Sequence, residues 1–370
     1  GDFNAFETST AANAITGKIF TKLAGTNFAV DIVAILAGAQ YAAFTNTVAV
    51  DLVTGSTGGL NCPGTPVTIA GTAQNVNLAS GRGTTGNFNV AAAYPDVRVR
   101  IRYPVMTPTV TSCSTDNFAI RPTALTVTST NATQTGTTGA PIIRTGVNFN
   151  LTATAIAGYN GTPGINNALV TGTPNAGAIG GAFSAALAGT GIATGNSFFY
   201  SEVGNFGLAT NAVFDAGFTG VDSGSGDCTN DFSNTLVGGR YGCSFGSTAV
   251  TQTTGVSGFG RFIPDNFSVS YNMPAFATAC SGFSYVGQTF SYSLAPVLTV
   301  TARNGTGNGL TNATTTNYSG SYMKFTNASL APAAYDTQLE RYTRFDALGG
   351  GNTPALDVSG LPLTSADPVI

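Results

Sequence analysis

Apolar and polar residues alternate along much of this chain with a period of two, the pattern of strands that bury one face. Val48-Ala-Val50-Asp-Leu52 and Val97-Arg-Val99-Arg-Ile101-Arg-Tyr103 are the clearest examples, and Leu125-Thr-Val127 and Val297-Leu-Thr-Val300-Thr-Ala302 repeat it in shorter form. A strand opener occurs three times, as Gly25-Thr-Asn-Phe28-Ala-Val30-Asp-Ile32, Gly146-Val-Asn-Phe149-Asn-Leu151-Thr-Ala153 and Gly287-Gln-Thr-Phe290-Ser-Tyr292-Ser-Leu294. In each, glycine supplies a turn, and the phenylalanine with its i+2 and i+4 successors forms one apolar face. A second marker precedes the openers: Asp2-Phe3, Asp116-Asn117-Phe118 and Asp265-Asn266-Phe267. Marker plus opener at unequal spacing predicts related β-sandwich modules with variable loops, not a solenoid of fixed rise. The expected modules are 1–115, 116–264 and 265–370, the third stopping one strand short. The Gly/Ala-rich stretch 177–193 reads as low-complexity loop, and Tyr335, Leu339 and Tyr342 within Ala333 to Leu348 read as a short helical turn or a loop hairpin.

Composition supports an all-β fold of tandem β-sandwich modules with long Gly/Thr/Asn-rich loops and little helix. Of 370 residues 42% are hydrophobic, enough for real cores, but only 8% are charged, about a third of the usual ~25%. Long amphipathic helices need Lys, Glu and Arg on their wet faces, and 14 basic and 17 acidic residues supply few. The chain has no His and no Trp, which removes Ser-His-Asp triads, Cys-His dyads and imidazole metal sites. A net charge of −3 with lysine only at 18, 22 and 324 argues against nucleic acid as a partner. No apolar run is long enough to span a membrane, since the best stretch, Phe28 to Phe44, is interrupted by Asp31 and Gln40. The start at Gly1 and the end at Pro368-Val369-Ile370 read as those of an excised piece.

The five cysteines contain no C-x-x-C pair and no nearby histidine, so zinc and thioredoxin-type readings fail. Cys228 with Cys243 would close a short polar loop, and Cys62 with Cys113 a longer one. Cys280 is left over, either pairing outside these residues or buried as a free thiol. Disulfides together with a Thr/Ser/Asn surface place the expected setting outside the cell, at a bacterial surface.

Several of these segments, together with Phe3-Asn-Ala-Phe6-Glu7, Ile15-Thr-Gly17-Lys18, Cys113-Ser-Thr-Asp116-Asn-Phe118-Ala-Ile120-Arg121-Pro122, Tyr200-Ser-Glu202-Val203-Gly204 and Arg261-Phe-Ile263-Pro264-Asp265, resemble the uncharacterised domain of MshQ-type proteins, encoded with the MSHA type IV pilus. The resemblance covers most of the chain. It implies an exported, bacterial, Ig-like β protein associated with a surface appendage, and it brings no catalytic residues with it.

Three constellations are candidates for chemistry or recognition. Arg98, Arg100 and Arg102 share one face of a strand, as a docking stripe for acidic polysaccharide or a neighbouring subunit, or as a like-charged row protecting a sheet edge. Asp215, Asp222, Asp227 and Asp231 form the densest acidic segment; a calcium site through Asp222, Asp227 and Asp231 is the functional reading and a solvated, disulfide-closed loop the structural one. Phe198-Phe199-Tyr200 with Glu202 is either a sugar platform or core. The N-x-[ST] matches, Asn131 and Asn160 among them, are what an Asn/Thr-rich chain produces by chance.

The expected function is non-enzymatic: a stalk or adhesive element of a bacterial extracellular appendage, with no required cofactor beyond the calcium candidate. Its partners would be other appendage subunits, copies of itself, or surface polysaccharide. The alternatives are a self-assembling filament subunit completed by strand exchange and, from other classes, a glycan-binding lectin or a glycan-acting enzyme.

Overall fold

A computed structural model of the chain describes residues 1–105, 109–251, 258–273, 275–277, 292–295 and 297–325. Among them the regular structure is almost entirely strand, with a single four-residue helix, Gly220–Ser223, and two 3-10 turns, Asn167–Leu169 and Gly320–Tyr322.

The alternating segments become the long strands of the first sandwich. Thr47–Ser56 pairs antiparallel with Tyr94–Tyr103, matching Leu52 with Val99 and Val50 with Ile101. This register sets Val48, Val50, Leu52, Val97, Val99 and Ile101 on one face, all fully buried. Phe118–Arg121 and Val110–Cys113 complete the other side of Tyr94–Tyr103 within an eight-stranded sheet. Across the core lies Asp2–Glu7 against Val30–Leu36, contributing Phe3, Ala5, Val30, Ile32 and Ala34. Sheets packed face to face in this way enclose the core between them.

The second core draws on Ala93 and on residues between Leu125 and Phe262. One sheet runs Thr126–Thr128, Phe149–Thr154, Ile192–Tyr200, Ile179–Gly180; the facing one runs Ile143–Arg144, Phe259–Ile263, Gly204–Leu208, Val170–Thr173. The second opener sits here: Phe149, Leu151 and Ala153 are buried while the intervening residues are half-buried. With no Trp in the chain, phenylalanine fills the centre. Phe206 lies 4.9 Å from Phe259, 5.0 Å from Tyr200 and 5.8 Å from both Phe149 and Phe262, ring centroid to centroid.

The 177–193 stretch departs from the loop expected there. Ile179–Gly180 pairs with Phe199 and Tyr200, and Phe183 and Ala186 are buried. Small residues are needed because the backbone lies against a ring: a Cβ on Gly180 would fall 2.0 Å from Cζ of Phe199.

Beyond the second core, Asn266–Tyr271 pairs antiparallel with Leu298–Arg303, and Ala275–Phe276 with Tyr292–Leu294. Val300 and Ala302 are buried, and the ring of Phe267 packs on those of Tyr318 and Phe325. Val269 and Tyr271 are 59% and 79% exposed. Gly287 to Phe290 of the third opener, Cys280, and the helical pattern in Ala333 to Leu348 lie outside the described residues.

Candidate functional site

The arginine row occupies an interior strand. Thr47–Ser56 flanks Tyr94–Tyr103 on one side, and Val110–Cys113 and Phe118–Arg121 flank it on the other, so Arg98, Arg100 and Arg102 protect no edge. Nor do they form an open stripe. Arg100 donates to both oxygens of Asp51, at 2.9 and 2.5 Å, and Arg102 reaches the same carboxylate at 3.0 Å. Asp51 is 1% exposed, and burying a carboxylate costs free energy that such charged partners offset. Arg98 donates to the carbonyls of Ser56, Ser114 and Thr115, and burial lowers its pKa. The expected docking row is therefore largely internal wiring of the first sandwich.

The acidic segment lies where the two cores meet. The Gly220–Ser223 turn presses Asp222, fully buried, against Phe118–Arg121 of the first sandwich. One carboxyl oxygen accepts from the Ala119 N–H at 2.9 Å and from the Thr21 hydroxyl; the other has no partner. Burial, with the negative charges of Asp227 and Asp116 adding to it, pushes the Asp222 pKa up to about 7, against the lowering effect of those two hydrogen bonds. Lys18 bridges the neighbours, donating to Asp227 at 2.9 Å and to Asp116 at 3.3 Å. Asp116 also accepts from the Ile19 N–H, and burial raises its pKa.

These positions do not assemble a calcium site. Asp222 is turned into the seam, Asp227 is held by Lys18, and Asp231 accepts from Thr229 and from the Ser233 N–H inside its own loop. Among the described residues no group of three or more Asp, Glu, Cys or His side chains is arranged to hold a metal ion. The carboxylates face different donors, so no shared oxygen cage exists for a hard cation. Asp215 is likewise taken up, accepting from the Tyr159 hydroxyl and the Gly217 and Phe218 N–H groups.

Among the described residues two disulfides are formed. Cys62–Cys113 ties the end of Val110–Cys113 to the turn after Gly59–Leu60, and Cys228–Cys243 closes the loop at the seam. Formed disulfides of this kind suit a non-reducing setting. No helix among the described residues is long and apolar enough to cross a membrane.

Arg121 is the seam residue that sequence patterning did not single out. Fully buried, it donates to the carbonyls of Pro122, Ser233 and Gly242 and to the Asn234 side chain, so the disulfide loop is threaded onto the first sandwich. Burial lowers its pKa to about 10. The available signal was an arginine continuing the apolar run Phe118-Ala-Ile120.

The aromatic triplet is core. Phe198 and Tyr200 are fully buried, and Glu202 accepts from the N–H groups of Val203, Thr316 and Asn317. That carboxylate clamps the 316–317 segment onto the second sandwich and presents no sugar platform. A cavity of about 480 Å³ near Pro95, Asn160 and Phe214 has Asp215 as its one acidic lining residue among the described residues, already held by the three donors above.

Residues 242–356 match the family model described as DUF6701, third domain, an uncharacterised domain family. The matched part begins inside the Cys228–Cys243 loop and carries Phe259–Ile263, Asn266–Tyr271 and Leu298–Arg303. No curated protein matches the chain.

Proposed function

We propose that this chain is a non-enzymatic structural or adhesive component of a bacterial extracellular appendage, a pilus-associated stalk or adhesin of the MshQ-type that its motifs resemble. In this reading residues 1–115, 116–264 and 265–370 are successive sandwich modules at the cell surface. They join other appendage subunits or copies of the chain, and surface polysaccharide is a further contact.

The observation that carries the reading is the seam. Asp116, Asp222, Asp227, Lys18 and Arg121 are turned to one another and to backbone groups across the boundary between the two cores. A disulfide closes the loop that takes part. Such an arrangement fixes one sandwich against the next, which is what a rod that transmits force requires. Negative-stain images of purified chain, with and without reductant, test it. Rods of constant inter-module angle support the proposal; beads that flex freely about residues 116–125 would remove its basis.

A second reading, a filament subunit completed by strand exchange, is favoured by the Asn266–Tyr271 and Leu298–Arg303 pair. Among the described residues it is a two-stranded sheet whose Val269 and Tyr271 stand exposed, an arrangement open to an added strand. The same images taken across a concentration series discriminate the two, since only the filament lengthens with concentration.

A further inference from the structure

A second cavity, of about 370 Å³, lies where the second sandwich meets the segment ending at Phe325. Arg261 lines it and is 7% exposed. A guanidinium has five N–H donors. Arg261 uses one on the carbonyl of Thr137 and one on that of Gly139 at 2.7 Å, while its Nε–H is buried without an acceptor. Unlike Arg82, Arg100 and Arg102, it forms no ion pair with a carboxylate among the described residues.

Besides the Thr137 and Thr138 hydroxyls, two further side chains at the cavity can donate. Lys324 stands exposed at the rim, with one ammonium hydrogen on the Ser321 carbonyl. The Tyr322 hydroxyl accepts from Asn205 Nδ2 at 2.6 Å, which leaves its own hydrogen to give. Burial raises the Tyr322 pKa, so that proton is retained at neutral pH. Among the described residues no acidic side chain lines the cavity, and the rest of the wall is largely apolar, with Ile142, Phe262 and Ile263 contributing.

We propose that this cavity is a binding site for a small organic carboxylate with an apolar body. The planar guanidinium edge matches a carboxylate, Lys324 adds charge at the entrance, and the apolar wall demands more than a bare anion. A hydrated inorganic anion would leave that wall wet, and a neutral ligand would bring no counter-charge to Arg261 and Lys324. The site is independent of the appendage reading.

The test uses the full chain and benzoate as probe, with benzamide and acetate as controls, followed by calorimetry or saturation-transfer NMR. Benzoate is expected to bind saturably, and benzamide, lacking the charge, to bind at least about tenfold more weakly. Acetate, lacking the ring, should also fall behind. Arg261→Gln should abolish benzoate binding, but Arg261 also holds the 137–139 loop, so a second variant is needed. Ile142 is 54% exposed at the rim, and Ile142→Asp places a negative charge there without touching the core. It should weaken benzoate by at least about tenfold while leaving the melting temperature in place. Absence of saturable benzoate binding, equal affinity for benzamide, or unchanged affinity in Ile142→Asp overturns the proposal.

Discussion

At the scale of single residues, the seam carries a pH dependence whose sign is fixed by its geometry. An ordinary aspartate titrates near ~3.9, whereas Asp222 is held at about 7 by burial beside Asp227 and Asp116. The folded chain therefore binds this proton more tightly than the unfolded chain does. Its contribution to stability is fully present below about pH 4 and is lost as pH rises to about 7. Asp222→Asn keeps the shape and removes the titration, so the melting temperature should fall less steeply between pH 4 and 7 than in the parent. Identical slopes in both proteins would show that the seam does not titrate there. Arg121 sets the opposite kind of demand. Arg121→Met would leave the buried Gly242 carbonyl without its donor and strip one hydrogen bond each from Pro122, Ser233 and Asn234, costing about 1–3 kcal/mol in chemical denaturation. Little of this was legible in the sequence. Arg121 and its acceptors Ser233 and Gly242 are separated by 112 and 121 positions, and Asp51 lies 49 positions from Arg100, so charge patterning along the strand shows the arginines and hides their partners. The same distance explains why Asp222, Asp227 and Asp231 look like a cluster along the chain yet face three different environments.

At the scale of elements the sequence spoke more clearly. Alternation located Thr47–Ser56, Tyr94–Tyr103 and Phe149–Thr154, because a strand half-buried in a sandwich must place apolar side chains at every second position. It did not locate Ile179–Gly180 or Gly204–Leu208. In the latter all five residues are buried, so there is no wet face to produce a period, and two of the five are glycines. That strand nevertheless presents the ring at the middle of the second core. Phe206→Ala, which removes a side chain in contact with four other rings, should destabilise the second sandwich by about 3–5 kcal/mol. Denaturant unfolding monitored by tyrosine emission measures it, and a loss below about 1 kcal/mol would mean the cluster repacks around the gap.

At the scale of the whole molecule, the two sandwich cores, their disulfides and the polar seam between them govern how the described residues come apart. In the chain-entropy treatment, opening Cys228–Cys243, a separation of 15, removes about 3 kcal/mol, and opening Cys62–Cys113, a separation of 51, about 4 kcal/mol. Paired Cys→Ser variants should each lower the denaturation midpoint by corresponding amounts. The Cys228/Cys243 variant should also loosen the Arg121 contacts, read as faster amide exchange at residues 229–243 than in the Cys62/Cys113 variant. Equal exchange in that loop would separate the clip from the seam.

The inward turn of the arginines has a last consequence, for how the protein meets digestive enzymes. A trypsin-class protease must draw an extended basic residue into its specificity pocket, and exposed loop tips are where such nicking concentrates. Here Arg98, Arg100, Arg102, Arg121 and Arg261 are anchored in sheets by their own side chains, and lysine occurs at only three places. The folded sandwiches should survive trypsin doses that quickly cut the unfolded chain, leaving 1–105 and 109–251 uncleaved at those arginines.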